Sequence, residues 1–176
     1  MIQLSAQEIR QLQMIQLEML IEDDRICRKF DIQYNIIAGT LLGTVRHGGY
    51  IPWDDDADVA LLRPEYEKFR KACKTDLDTS RFYFQDHRNT KGYRWGYGKL
   101  RRKGTLFHRE YQEHLPYRQG VFIDIFPLDG VPDNYLYHKP EDIWELPEII
   151  LKYNPDYKLY LRHYSFTASE TVLYAI

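Results

Sequence analysis

Four aspartates stand within five residues of GYIPWDDDADVALL: Asp54, Asp55, Asp56 and Asp58. If DADVAL is extended, side chains alternate between faces. Asp56 and Asp58 then project to one side with Asp54 continuing the row, while Ala57, Val59 and Leu61 project to the other. Carboxylates this close disfavour mutual ionisation, and a divalent cation removes the conflict. Hard oxygen ligands at two-residue spacing suit Mg²⁺ or Mn²⁺, which share carboxylates with water and substrate phosphates. A solvated acidic loop is the plainer alternative, and for a lone D-x-D pair it is the commoner one. It leaves unexplained why this row abuts an apolar strand and follows a glycine-bounded turn.

A fifth carboxylate joins them from farther along the chain. Asp124 in GVFIDIFPL is flanked by Phe122, Ile123, Ile125 and Phe126, a run that reads as buried on both faces. An unpaired carboxylate there is costly. It either meets an arginine, Arg101 or Arg102, or stands beside the first row, where it can hold a metal or take the proton of an attacking hydroxyl. Gly39-Thr40 falls between a strand and a helix, where backbone N–H groups can approach a phosphate. The KLRRK run offers Lys99 and Arg101 to phosphate oxygens, and Arg46 and His47 carry about the same weight. Trp53 with Tyr93, Trp95 and Tyr97 would make a cation–π cage for a quaternary ammonium group, or else one face of a packed strand.

The elements that must position these residues follow from capping and periodicity. Ser5 and Glu8 form a capping box, and Ile9, Leu12, Ile15, Met19 and Ile26 recur near helical spacing to about Phe30. IQYNIIAG reads as a strand ending at Gly39, TLLGTVRHG as a helical turn or two closed by Gly48-Gly49, and ADVALL as a strand. PEYEKFRKAC reads as a helix with Pro64 in its first turn. FYFQDH, YRWGYGKLRR and GVFIDIFPL are further strand candidates, and DIWELPEIILKY and YKLYLRHYSF are helix candidates interrupted by Pro147 and Pro155. The sum is an α/β domain with a small mixed sheet flanked by helices.

The 176 residues suffice for one core without disulfides, and a net charge of −2 gives no global attraction to nucleic acid or an anionic membrane. Cys27 and Cys73 lack CxxC spacing and paired histidines, which suits buried thiols in a reducing compartment. With no signal-peptide pattern and no run of roughly 20 apolar residues, the chain is expected to be soluble and cytoplasmic.

Gly39-Thr40, the Asp54, Asp56, Asp58 row and the isolated Asp124 together resemble the nucleotidyltransferase fold of the polymerase-beta type. The longer wording, GTLLGTVRHGGYIPWDDDADVAL followed by GVFIDIFPLDGVP, resembles the LicD family of phosphocholine transferases, whose eukaryotic relatives are fukutin and fukutin-related protein. The likeness covers roughly residues 10 to 132. It implies transfer of a substituted phosphate from CDP-choline or another CDP-linked donor to a sugar or polyol hydroxyl of a glycan, with release of CMP. It further implies Asp54, Asp56 and Asp58 as ligands of Mg²⁺ or Mn²⁺, with Asp124 completing the site as ligand or base. Gly39 and Thr40 would contact donor phosphate, with Arg46 beside them. The expected division is a catalytic domain over residues 1–132 and a short helical extension over 133–176. That extension is reduced or truncated against the acceptor region usual in the family.

Three other readings compete. An EF-hand-like loop would place Asp54, Asp56, Asp58 and Glu65 at ligand positions 1, 3, 5 and 12, but Val59 stands where the turn demands glycine. A D-x-D glycosyltransferase would not require the Gly-Thr element. A third reading keeps the fold and discards catalysis, making the chain a binding or scaffold domain.

Overall fold

The computed structural model describes residues 4–108, 112 and 114–129. Met1–Tyr93 and Tyr97–Leu128 form one unit, while Arg94–Gly96 and the chain from Asp129 onward belong to a second. The first unit carries the sheet and the helices that pack on it. The helices expected beyond Pro132, and the 133–176 extension as a whole, lie outside the described residues.

Helix α1 (Ala6–Lys29) starts at the expected capping box, with the Ser5 and Glu8 side chains each bonding the other's backbone. Its buried stripe carries Leu12, Met19, Ile26 and Cys27, but also four polar residues, Gln13, Gln16, Glu22 and Asp23. Strand β1 is short, Asn35–Ile36, rather than running to Gly39. The backbone turns at Ala38, whose φ of 49° is left-handed, and helix α2 (Ala38–His47) begins there. A non-glycine residue held in that region costs on the order of 1–3 kcal/mol. Gly48, at φ 67°, closes α2 in the left-handed conformation that glycine adopts without penalty.

Strand β2 (Asp58–Leu62) and helix α3 (Arg63–Asp76) come next, α3 with a proline in its first turn. Strands β3 (Phe82–Gln85), β4 (Gly98–Arg102) and β5 (Phe122–Leu128) complete the sheet. The order is β1-β2-β5-β4-β3, with β2 and β5 parallel and the other pairs antiparallel. This is the mixed sheet flanked by helices that the sequence leads one to expect.

The register gives the sheet two different faces. Val59 pairs with Ile125, Leu100 with Ile123 and Phe84 with Leu100. Those side chains, with Leu61 and Phe82, form the core into which α1 and α3 pack. Full burial of each such side chain contributes roughly 1.5–3 kcal/mol. On the opposite face Asp58 pairs with Asp124, Asp124 with Lys99, and Lys99 with Gln85, one polar row across four strands.

Candidate functional site

The acidic residues divide between a loop and a strand. Residues 54–57 have no regular secondary structure, and β2 begins at Asp58, so the extended row stops one aspartate in. The expected facing of the apolar side holds, with Ala57, Val59 and Leu61 fully buried. In the loop, carboxylate oxygens of Asp54, Asp55 and Asp56 all lie within 4.8 Å of one another. Asp55, absent from the expected ligand set of Asp54, Asp56 and Asp58, is thus part of the convergence. Its odd position hid it, because strict alternation sends it to the other face.

Three neighbours shape this loop. An ideal Cβ on Gly39 would lie 2.7 Å from Oδ2 of Asp54, so a glycine is what admits that carboxylate to the first turn of α2. The N-terminal end of a helix favours negative charge there, and α2 has no side-chain cap of its own. Thr40 accepts a hydrogen bond at Oγ1 from the backbone N–H of Asp58 at 2.9 Å, and the N–H of Ile37 donates to the Asp58 carbonyl at 3.2 Å. Asp58 is clamped by both. Gln13 and Gln16 of α1 donate to loop carbonyls, Gln13 to those of Ile51 and Asp54, each at 3.0 Å, and Gln16 to that of Asp55 at 2.8 Å. Neither glutamine stood out in the sequence, where both interrupt an apolar stripe.

Burial raises the pKa of the Asp54 carboxyl, and the charges of Asp56 and Asp55 raise it further. Burial, then the charges of Asp56, Asp124 and Asp54, push Asp58 up to about 7, with Lys99 opposing. Burial is the largest cause for both, crowded negative charge adds to it, and that second part is what a bound cation would relieve. An all-oxygen set of this kind fits Mg²⁺ or Mn²⁺.

Asp124 is 5% exposed and pairs with Lys99, itself 3% exposed. The partner is therefore a lysine rather than Arg101 or Arg102, because the antiparallel register sets Lys99 directly opposite. The Lys99 ammonium also lies 3.5 Å from the centroid of the Phe122 ring. Arg101 points to the same face, where Nε donates to Gln85 and Nη1 to the Gly120 carbonyl, both at 2.6 Å. Arg102 turns to the other face and reaches Glu18 at 3.2 Å. The basic run is thus dealt out along a strand rather than gathered into a solvated patch. Arg46 is exposed in the last turn of α2.

Trp53 is exposed and meets His47 edge-on at 6.2 Å, Tyr97 meets Phe126 at 4.5 Å, and Tyr93 meets Tyr117 at 5.5 Å. Trp95 falls in the second unit. The EF-hand-like reading fails on the fold: the residues before the loop are a turn, and the loop runs into a strand. Glu65 sits in α3 and binds Lys68 and the backbone of Gln33.

One known protein is similar to this chain over most of its length, and others over about a third of it or less. Lipopolysaccharide cholinephosphotransferase LicD of Haemophilus influenzae is 28% identical over 172 residues, which cover 94% of this chain and 60% of that protein. An uncharacterized protein of Rickettsia typhi is 37% identical over 54 residues, 31% of this chain and 18% of the relative. The chain spans 60% or less of the length of these relatives. The family profile described as LicD/FKTN/FKRP, nucleotidyltransferase domain, matches residues 31–164. A match that runs through more than half of the chain, and through every strand of the sheet, makes this protein a member of the LicD/FKTN/FKRP family.

Proposed function

We propose that the chain transfers phosphocholine, or a related substituted phosphate, from a CDP-linked donor to a hydroxyl of a cell-surface glycan or its precursor, releasing CMP. The observation that carries this reading is the convergence of the Asp54, Asp55 and Asp56 carboxylates next to the Asp58–Asp124 register pair. Kinship with a protein named for cholinephosphotransfer to lipopolysaccharide supports the choice of group and acceptor. The free, buried Cys27 and Cys73 suit a reducing compartment, and the cytoplasm is the proposed location. No helix among the described residues is long and apolar enough to cross a membrane.

Asp54, Asp55 and Asp56 would hold a Mg²⁺ or Mn²⁺ ion, with Asp58 and Asp124 adjoining. Such an ion supplies charge neutralisation to the donor phosphates when bound. The chain's own contribution is positioning and electrostatics, which dominate phosphoryl transfer. The first turn of α2, at Gly39 and Thr40, offers backbone N–H groups to donor phosphate, with Arg46 on the same helix. Lys99 and Arg101 lend positive potential from the same sheet face as Asp58 and Asp124. Asp124, or Asp58 beside it, would take the proton of the attacking hydroxyl.

The test incubates the protein with Mg²⁺ and, separately, CDP-choline, CDP-ribitol, CDP-glycerol and UDP-glucose, with a panel of sugar and polyol acceptors. CMP released from one CDP donor, lost with EDTA and reduced at least about 100-fold by Asp56→Asn, is the expected result. Full turnover by Asp56→Asn would sink the assignment, and UDP released from UDP-glucose would move it to a glycosyltransferase. Metal-dependent donor binding without turnover would favour an inactive domain.

A further inference from the structure

We infer that Gln13 and Gln16 of α1 are positioning residues for the acidic loop, fixing the backbone from which Asp54, Asp55 and Asp56 take a divalent cation. The inference rests on the metal-dependent reading above and extends it to a helix outside the acidic motif. Three residues apart, the two side chains share one face of α1. They stand between Leu12 and Met19, 3% and 2% exposed. A buried amide is costly unless its hydrogen bonds are made. Gln13 spans the Ile51 and Asp54 carbonyls; Gln16 spans those of Asp55 and Phe122, the last at 3.4 Å. The first pair brackets the turn that leads into the aspartates. The second ties the triplet to β5, the strand that carries Asp124.

Carbonyl acceptors at every one of these contacts fix which end of each amide faces the loop. Drawing the carbonyls of Asp54 and Asp55 towards α1 constrains the peptide planes, and with them the directions of the side chains on either side. The residue type matters as much as the place. A lysine or arginine at either position would bind the aspartates themselves and neutralise the charge a cation needs. Glutamine holds the backbone and leaves that charge intact. Gln16 also retains a cost, because its Oε1 is buried with no hydrogen-bond partner. Leucine or methionine would fill the same space without leaving that acceptor unsatisfied, so packing alone does not account for a glutamine here.

The test measures Mn²⁺ affinity by electron paramagnetic resonance of the free ion, with no donor or acceptor present. It uses the whole chain and Gln13→Met, Gln16→Met and the double variant, each near in volume and without a donor. Phe69→Leu, in the core on α3, serves as a control that loses stability away from the loop. Loss of groups that orient metal ligands typically lowers metal affinity 10–100-fold. The expected result is a loss of about tenfold in each single variant and more in the double, with far-UV circular dichroism unchanged and Phe69→Leu at wild-type affinity. Should the Met variants not fold, Gln13→Asn keeps the amide but withdraws it by one methylene, and the same loss is expected. Wild-type affinity in the variants, or an equal loss in Phe69→Leu, overturns the inference while leaving the proposed function standing. Absence of Mn²⁺ binding by the unaltered protein overturns both.

Discussion

Two acidic regions lie side by side in this protein and handle their charge in opposite ways. In the loop, Asp54, Asp55 and Asp56 crowd together, held through backbone carbonyls by neutral glutamines and fitted against a glycine. On the neighbouring strand, Asp124 is buried deeper but stands opposite Lys99. The interior carboxylate has a cation built into the fold, whereas the loop's carboxylates lie within 4.8 Å of one another and, under the proposed function, would share one from outside. Asp58, in register with Asp124 and next to the loop, sits at the junction, and burial, then the charges of both regions, push its carboxyl up to about 7. Charge paired inside the fold thus lies one strand away from charge crowded together in the loop.

The largest effect should come from breaking the interior pair. Lys99→Met leaves Asp124 buried without its lysine and is expected to cost roughly 3–5 kcal/mol in urea unfolding. Adding Asp124→Leu should recover much of that stability while activity stays lost. If Lys99→Met is silent in stability, the two regions do not differ as described.

Another buried carboxylate sharpens the contrast. Asp23 on α1 is fully buried, one of its oxygens lacks a hydrogen-bond partner, and burial pushes its carboxyl up to about 8, against the weak pull of the Cys27 thiol. The folded chain therefore keeps a proton that the unfolded chain releases above about pH 4. Its stabilising contribution is complete below about pH 4 and is lost as pH rises through about 8. Asp23→Asn should flatten that decline and add about 1 kcal/mol or more at pH 8. Thermal melts across pH 4–9 with an unchanged slope would count against it.

The smallest expected stability effect lies in the loop. Gly39→Ala places a methyl group against the tip of the Asp54 side chain, which can swing aside. The better helix propensity of alanine offsets that strain, so stability should move by less than about 1 kcal/mol. Mn²⁺ affinity should nonetheless fall several-fold, because the carboxylate that moves is one of the three. An unchanged affinity would mean that Asp54 does not need its seat on α2.

Much of this was legible in the sequence for identifiable reasons. The α1 capping box, the Pro64 start of α3 and the Gly48 stop of α2 are local devices, and each is where its residues place it. Alternation predicted the buried side of β2 because the core enforces a period of two there. It misjudged Asp55 because the strand begins only at Asp58, and a loop obeys no such period. Strand β1 is shorter than its apolar run because the chain must turn at Ala38 to seat α2.

By itself, then, the sequence determined the kinds of groups present, the ends of the helices and the apolar face on which the sheet packs, since capping and periodicity act over a few residues. Tertiary structure alone decided that Lys99 rather than Arg101 or Arg102 meets Asp124, and that Gln13 and Gln16 grip a loop 38 to 41 positions farther along the chain. Both outcomes depend on strand register and helix docking, which are set by the packing of the whole core and leave no short-range signature.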